Sequence, residues 1–349
     1  IRNCIHFSMT ETISKTMMAV QFDQHGTPND LAWRQTETPK PDKNEALIRV
    51  RAAALNGFDP MMLSGETGLK TPFPMTPCGD FAGEVAALGQ GVSGWKIGDR
   101  VNPYPILPVK GMMGETTPGA AAEYVCVPAS VLIKMPDAVS FEEAAAMPVA
   151  YGTALRMVET RGDVQPGEKV LVLGAGGGVG VASIQFAKAL GAYVIAAASG
   201  AHKLQRLLQI GADETLDTSD RDWRKTLIAR HGKPAFYGQP GGMDVIINYV
   251  GGPTWVDSLK CLKNEGRILV CGASAGHDPK EDLRYIWSFE QSIVGSNGWS
   301  MEDQAELLDR VARGVFTPVM HSVRPAAEIA ASFEELIGRQ VIGKQVITL

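Results

Sequence analysis

The chain has 349 residues, 45% of them hydrophobic and 20% charged, and its formal net charge of −5 is spread without acidic or basic blocks. This length and composition predict a folded protein with more than one hydrophobic core and exclude a disordered chain. Nucleic acid and membranes are not expected as partners, because there is no basic patch and no apolar run approaches the roughly 18 residues of a membrane-spanning helix.

Residues 1–17 precede the first predicted strand. They show neither an apolar signal core nor an arginine-rich amphipathic pattern. We interpret them as a leader or an expression remnant, with a weak organellar signal as the alternative.

The following part of the chain alternates short strand-like segments with stretches rich in proline and glycine, a pattern typical of a compact, irregular β-barrel. The predicted strands are Met18–Phe22, Glu45–Ala53, Gly83–Leu88 and Ala121–Val127.

After Pro136 the pattern changes to helices that alternate with continuously apolar strands. The predicted elements are a helix at 140–160, strand Lys169–Leu173, helix Val179–Leu190, strand Tyr193–Ala198, helix Lys203–Ile210, strands Val245–Tyr249, Arg267–Cys271 and Ser292–Gly295, a helix at 302–314 and strand Lys344–Leu349. This alternation predicts a parallel sheet covered by helices on both faces.

The segment Leu173–Gly180 reads LGAGGGVG and lies between a predicted strand and a predicted helix. A dinucleotide-binding turn needs glycine where the backbone doubles back, where it approaches a pyrophosphate and where the helix packs on the strand. The helix start then offers free N–H groups to the phosphates. A glycine-rich turn alone could be merely flexible, but these flanking elements favour dinucleotide binding.

The end of the second strand indicates which dinucleotide is bound. An Asp or Glu there would accept hydrogen bonds from the ribose of NAD, but the segment 198–203 reads ASGAHK. Ser199 can donate a hydrogen bond to a 2′-phosphate and Lys203 offers it a positive charge, so NADP(H) is the predicted coenzyme. The alternative for Lys203 is an ordinary solvated lysine.

Several motifs together resemble the medium-chain dehydrogenase/reductase superfamily, and within it the zinc-independent quinone (enone) reductases. They are AAALN at 52–56 with Asp59, PCGDFAG at 77–83, GDRV at 98–101, AAAEYV at 120–125, AAAMPVAYGT at 144–153, the glycine turn, GAD at 211–213, VGG at 250–252 and Gly343 with Lys344. The resemblance implies an α/β fold, with a GroES-like β-barrel catalytic domain at 18–140 and 301–349 and a doubly wound Rossmann domain at 141–300.

The zinc dehydrogenases of this superfamily hold their catalytic metal with a Cys, a His followed by Glu, and a second Cys. The matching positions here are Asn56, Gly79 with Asp80, and approximately Val149. Three zinc ligands cannot be assembled from these residues, so no metal site is expected. As in the zinc-independent reductases, an Asn replaces the first Cys.

The resemblance also implies which residues contact the coenzyme. Asn56 and Thr153 are expected near the nicotinamide ribose and carboxamide, and Gly178 and Val179 at the pyrophosphate. Gly177, Val250, Gly272 and Ala273 are further expected coenzyme contacts. The sequence departs from the family by lacking a Tyr near Asp217 and an active-site Tyr within Gly65–Leu69, and by having Asn248 where Asp is common.

The expected reaction transfers a hydride from NADPH to a small apolar quinone or enone. The negative charge that develops on the substrate oxygen must then meet hydrogen-bond donors. The candidates are the Asn56 amide, the Tyr104 hydroxyl, backbone N–H groups and the coenzyme's own ribose hydroxyl. Both could instead be structural, with Asn56 bracing the coenzyme and Tyr104 packed in a loop. Phe58, Trp287, Phe289 and Trp299 could wall an apolar cleft, although core packing is the alternative for each.

Two other functions stay open. An alcohol dehydrogenase or ketone reductase of the same fold would need a metal site around Asp80 and His25. A coenzyme-binding protein without significant turnover is the second alternative.

The cell compartment and the assembly are the remaining expectations. The five cysteines have no C-x-x-C pair, which favours free thiols in a reducing cytoplasm. A homodimer is expected through the edge strand Ser292–Gly295.

Overall fold

The computed structural model describes residues 13–349 as an α/β protein built on two large sheets. Its strands are β1 Thr16–Gln21, β2 Ala32–Glu37, β3 Glu45–Leu55, β4 Asp80–Leu88, β5 Arg100–Val101, β6 Ile106–Leu107, β7 Gly111–Met112, β8 Tyr124–Pro128, β9 Lys169–Leu173, β10 Tyr193–Ala198, β11 Glu214–Asp217, β12 Met243–Ile247, β13 Leu262–Val270, β14 Ser292–Gly295, β15 Met320–Pro325 and β16 Lys344–Thr348. Its α-helices are α1 Asp59–Ser64, α2 Phe141–Ala146, α3 Pro148–Leu155, α4 Gly178–Ala189, α5 Ala201–Ile210, α6 Trp223–His231, α7 Thr254–Cys261, α8 Leu283–Ser288, α9 Met301–Ala312 and α10 Ile329–Ile337. No helix within these residues is long and apolar enough to cross a membrane.

The first sheet is organised around β3. This strand pairs antiparallel with β4 on one edge, while β8 and β16 share the other edge. The strand order is β15-β16-β3-β4-β5. Its buried aliphatic and aromatic side chains, including Ile48, Phe81 and Phe333, form one core. Because β16 returns from the far end of the chain to pair with the end of β3, the carboxyl-terminal segment joins this sheet.

The second sheet is parallel and has the strand order β11-β10-β9-β12-β13-β14. Every residue of β9 from Val170 to Leu173 is buried, as expected for a strand covered on both faces. The chain runs outward in one direction from β9 to β11 and in the other from β12 to β14. Ligands of such sheets bind at the carboxyl ends of the strands where the order reverses, here between β9 and β12.

The structure confirms the predicted fold class, with a GroES-like barrel and a doubly wound parallel sheet. Strands β9, β10 and β14 have the predicted bounds. The helix predicted at 140–160 is instead divided into α2, α3 and a π-helical turn at 156–161. Pro148 explains the break, because a proline lacks the N–H that a continuous helix would use and fits the first helical position.

The structure differs from the predictions at the end of the leader and in three additional strands. Thr16 and Met17 belong to β1, paired with Glu37 and Thr36, so the segment interpreted as a leader ends too late. Residues 1–12 of that segment lie outside the described part of the chain. Strands β2, β11 and β15 were not predicted, since their mostly half-exposed residues lack the apolar runs of the central strands.

Candidate active site

The glycine turn lies where the sheet order reverses. Gly174 has a φ of +68°, and Gly177 precedes α4 with no side chain capping the helix. A Cβ at Gly180 would lie 2.7 Å from the Ala175 Cα, so the helix and the turn approach too closely for any other residue. The uncapped start of α4 therefore offers its backbone N–H groups to an anion.

The loops after β12 and β13 border this turn. A Cβ on Gly174 would lie 3.0 Å from Val250 Cγ2, and one on Gly251 would lie 3.2 Å from the Ala273 Cβ. The Ala275 N–H donates to the Val250 carbonyl at 2.7 Å, which joins the two loops. Val250 thus lies beside the turn and Ala273 beside Gly251, while a Cβ on Gly272 would lie 3.7 Å from the Tyr249 Cβ. Sequence reasoning missed Tyr249, whose hydroxyl donates to the Gly174 carbonyl at 2.5 Å and braces the turn.

The two residues expected at a 2′-phosphate have different surroundings. Ser199 is exposed at the end of β10. Lys203 is buried beside the glycine turn, and its ammonium donates to the Arg339 carbonyl. Burial and the neighbouring Arg339 charge lower the pKa of Lys203. Arg339, which lies 136 residues from Lys203 in sequence, was missed because no local pattern signals a contact across so many residues.

A carboxylate also lies near this end of the sheet. Asp217 ends β11 directly opposite Ala198 of β10. It accepts hydrogen bonds from the Ser219 hydroxyl at 2.6 Å and the Gly200 N–H at 3.4 Å. The hydrogen bond from the Ser219 hydroxyl has the largest lowering effect on the pKa of Asp217, and backbone N–H groups add to it. The Asp217 carboxylate is therefore charged at neutral pH.

The second half of the site is a buried cluster of Asn56, Asp80 and Lys344, hereafter the Lys344 cluster. The Asn56 amide donates to Asp80 Oδ2 at 2.9 Å, and the Lys344 ammonium donates to Asn56 Oδ1 and lies 3.2 Å from Asp80 Oδ2. The Val149 N–H, at the start of α3, donates to Asp80 Oδ1 at 3.1 Å. The positions matched to the zinc ligands of the superfamily therefore meet around an ion pair between Asp80 and Lys344.

Lys344 connects this cluster with the glycine turn. The Gly343 N–H donates to the Gly176 carbonyl at 2.9 Å, and a Cβ on Gly178 would lie only 2.9 Å from Lys344 Cδ. The stem of the lysine thus passes the start of α4 before the ammonium reaches Asn56. Sequence reasoning noted Lys344 as a family motif but gave it no role. The signals in the sequence were this motif and its position at the start of the last predicted strand.

Asp59 fixes the loop that carries Asn56. Its carboxyl group is buried and accepts the Asn56 N–H at 2.6 Å and the Cys78 N–H at 3.0 Å. Burial raises the pKa of Asp59 to about 7, against the lowering effect of these hydrogen bonds and of Lys344. Burial also raises the pKa of Asp80, although Lys344 and Asn56 oppose that shift.

The donor set does not fit zinc. Asn56 and the Val149 backbone are poor ligands, and position 79 has no room for a side chain because a Cβ would lie 2.5 Å from the Met113 carbonyl oxygen. The Lys344 ammonium would also repel a cation. His25 does not join Asp80, because its Nδ1 lies 3.1 Å from the Met62 carbonyl oxygen. The alternative metal site around Asp80 and His25 is therefore not formed, and residues 13–349 hold no group of three His, Cys, Asp or Glu arranged for a metal.

The aromatic residues do not form one wall. Tyr104 donates its hydroxyl to the Trp299 carbonyl at 2.5 Å, and their rings pack edge to face with centroids 5.5 Å apart. The hydroxyl proton of Tyr104 is thus engaged by the protein. Phe289 instead packs on Phe236, with ring centroids 4.8 Å apart, and Trp287 is 72% exposed, so neither packs with Tyr104 and Trp299. Phe58 directly precedes α1. Thr153 is buried in α3 and follows Gly152, which packs on the Trp299 ring.

Comparisons with known proteins agree with this architecture. Residues 42–137 match the family of alcohol dehydrogenase GroES-like domains, and residues 178–313 match the family of zinc-binding dehydrogenases. The quinone oxidoreductase of Mus musculus is 30% identical over 347 residues, which cover 97% of this chain and 99% of that protein.

Two solved structures extend the likeness to three dimensions. An NAD-dependent alcohol dehydrogenase superposes with a TM-score of 0.86 at 34% identity, covering 95% of this chain and 100% of that one. A cobalt- and zinc-bound thermostable alcohol dehydrogenase from Pyrobaculum aerophilum superposes with a TM-score of 0.83 at 29% identity, covering 96% of this chain and 100% of that one. The likeness thus extends over nearly the whole length of each protein.

Proposed function

The chain belongs to the medium-chain dehydrogenase/reductase superfamily of oxidoreductases, and we propose that it reduces quinones or α,β-unsaturated carbonyl compounds with NADPH and without a catalytic metal. The Lys344 cluster carries this proposal. The positions matched to the zinc ligands are Asn56, Gly79 with Asp80, and Val149. The Asn56 amide and the Asp80 carboxylate bond to each other there, and both contact the Lys344 ammonium, which comes from the last strand. Hydrogen bonding therefore replaces Lewis-acid chemistry at this point of the fold.

The residues around the glycine turn fit a nicotinamide dinucleotide. When bound, the coenzyme would supply a hydride. The N–H groups at Gly178 and Val179 would hold its pyrophosphate. Val250, Gly272, Ala273 and Thr153 would border the nicotinamide half.

We propose NADPH over NADH because Lys203 and Arg339 bring two positive charges together beside the turn. A 2′-phosphate would relieve the repulsion between them, and Ser199 is exposed to donate a further hydrogen bond. The Asp217 carboxylate opposes this preference, since it lies beside the end of β10 and would repel a phosphate. Two cations are thus set against one carboxylate, which the Ser219 N–H and hydroxyl hold in place.

The protein's own contribution to the reaction is positioning and hydrogen bonding. Asn56 is held at both ends of its amide, by Lys344 at Oδ1 and by Asp80 at Nδ2. One N–H of Nδ2 is left for a substrate oxygen or the coenzyme. A donor fixed in this way costs no reorganisation when negative charge develops on the substrate. Solvent can protonate the resulting enolate or hydroquinone anion.

The experiment is a measurement of NADPH oxidation against simple quinones, alkenals and cyclic enones, with and without a chelator, together with metal analysis of the purified protein. We expect turnover that the chelator leaves unchanged. Stoichiometric zinc would instead favour the alcohol dehydrogenase function. NADPH binding that raises the melting temperature, without oxidation by any acceptor, would favour the coenzyme-binding protein without turnover.

Coenzyme preference is tested separately by comparing kcat/KM for NADPH and NADH. In Lys203→Met we expect the preference for NADPH to fall by about tenfold, the equivalent of one charge-assisted hydrogen bond. Asp217→Asn should raise the same preference, because it removes the repulsive charge. Lys225→Met, at a lysine whose side chain is 70% exposed, is the matched control and should not change it. A preference for NADPH that is unchanged in Lys203→Met would contradict the assignment.

We further propose a homodimer in the cytoplasm, with the domain division 18–140 and 301–349 against 141–300. The dimer is supported by β14, which ends the parallel sheet in the described chain and exposes Ile293. The cytoplasm is supported by the four cysteines of the described chain, which are all unpaired.

A further inference from the structure

Lys344 is the one positive side chain bonded into the cluster next to Asn56. Its side chain is 2% exposed, and that of Asp80 is fully buried. A buried ammonium is costly unless it is paired, and here it has both a carboxylate and an amide oxygen as acceptors. The cluster therefore holds a fixed positive charge in surroundings with little water, where electrostatic interactions are stronger than at the surface.

The hydrogen-bond capacity of this ammonium is not exhausted by the protein. A lysine ammonium has three N–H donors, and two of them point at Asn56 Oδ1 and Asp80 Oδ2. No protein acceptor for the third donor is found among residues 13–349, which leaves that donor for a ligand. The other candidate, Tyr104, gives its only hydroxyl proton to the Trp299 carbonyl. Lys344 and the free N–H of Asn56 are thus the side-chain donors that the cluster can offer.

The path of the side chain limits the movement of that ammonium. The Gly343 N–H donates to the Gly176 carbonyl, and the lysine stem passes close to Gly178 before it reaches the cluster. A Cβ on Gly178 would lie 2.9 Å from Lys344 Cδ and 3.0 Å from the Ala150 Cβ. The stem is thus confined, and the ammonium is held between the start of α4 and the cluster rather than free to swing to solvent.

We propose that the Lys344 ammonium is a catalytic residue that donates a hydrogen bond to the carbonyl oxygen of the substrate and stabilises the negative charge on it. This inference rests on the proposed function. When bound, the reduced nicotinamide coenzyme would supply the hydride, and with it two electrons, from a C–H bond that breaks on its ring, and would itself be oxidised. A new C–H bond forms on the substrate carbon, the π electrons shift to the oxygen, and a proton from solvent later neutralises that oxygen. Lys344 keeps its own proton throughout.

The test compares Lys344→Met, which keeps the stem and removes the charge, with Lys344→Arg, which keeps the charge. In Lys344→Met we expect the single-turnover rate of NADPH oxidation to fall by roughly 10²- to 10³-fold, the typical loss for one oxyanion donor. Lys344→Arg should recover part of that rate. The dissociation constant for NADPH, measured by fluorescence, should change by less than about threefold, since the ammonium is assigned to the substrate.

A second readout does not require turnover. Bound to the wild-type protein with NADP+, the coloured probe 4-nitrophenol should have a pKa lowered by about one unit or more, because its anion resembles the charged oxygen of the reaction. In Lys344→Met that shift should disappear. If the variant is unstable because Asp80 is left without a counter-charge, Lys344→Met with Asp80→Asn removes both charges and gives the same comparison. Lys225→Met is the control and should match the wild type.

Three results would overturn the proposal. One is a Lys344→Met variant that keeps the hydride-transfer rate and the shifted pKa of the probe. The second is a loss of NADPH affinity with an unchanged rate at saturation, which would make Lys344 a coenzyme ligand. The third is a wild-type complex that does not bind the phenolate. If no acceptor is reduced yet the probe's pKa shift depends on Lys344, the proposed function fails while the donor role of Lys344 stands.

Discussion

Asp59→Asn should remove a specific pH dependence of stability. In the folded protein, burial raises the pKa of Asp59 from 3.8 to about 7. Between these values the folded state keeps a proton that the unfolded chain has released, so the free energy of unfolding falls as pH rises. A pKa difference of roughly three corresponds to about 4 kcal/mol in the free energy of unfolding. This stabilisation is present in full below about pH 4 and is lost as pH rises to about 7.

The assay is urea denaturation of wild type and Asp59→Asn at intervals from pH 5 to pH 8. Asn at position 59 can accept only one of the two N–H groups from Asn56 and Cys78, so the variant should be less stable than wild type at pH 5. The difference in the free energy of unfolding between wild type and Asp59→Asn should narrow as pH rises and level off above about pH 7. Asp278→Asn, at an exposed aspartate, should show no such trend. A gap that is constant or widens with pH would mean that the folded-state pKa of Asp59 is not raised, and the reasoning would fail.

Three further changes test other parts of the structure. Gly178→Ala should weaken NADPH binding by about tenfold or more in a fluorescence titration, because the new methyl group meets the Lys344 stem at 2.9 Å; unchanged binding would refute this packing. Gln304→Leu should lower the free energy of unfolding by roughly 2–5 kcal/mol, since the indole N–H of Trp299 and the Asn102 side-chain oxygen lose partners at 3.0 and 2.8 Å; a melting temperature equal to that of wild type would contradict it. Ile293→Glu should convert a dimer into a monomer by light scattering, whereas Ile97→Glu, at a 61% exposed residue outside β14, should leave the dimer intact.

The parts of the fold that sequence reasoning found are those with strong local signals. The buried strand Lys169–Leu173, the glycine turn and α4 follow one another, so their apolar runs and glycines predict a strand-turn-helix unit. Strand β11 was missed because its four residues, ETLD, include only one that is fully buried. Its place is determined by pairing with β10, which no local pattern encodes.

The candidate site was only half predictable for the same reason. Asn56 could be identified from its motif, and Asp80 was noted beside Gly79, a position matched to a zinc ligand of the superfamily. The partner that completes them, Lys344, lies 288 residues from Asn56 in sequence. It meets Asn56 only because β16 pairs with the end of β3, with Gln345 opposite Leu55. Arg339 likewise could be identified only from the folded structure, through its contact with Lys203.

These long-range contacts change the physical explanation of the glycine turn. A glycine at position 178 would usually be explained by the approach of a pyrophosphate alone. Here the same position also faces Lys344 Cδ, so a side chain at 178 would displace the lysine even without coenzyme. The turn thus has two roles, because it leaves backbone N–H groups free for phosphate on one side and admits the lysine stem on the other. The glycine turn and the Lys344 stem are therefore in direct contact, and a side chain added at position 178 should move the lysine.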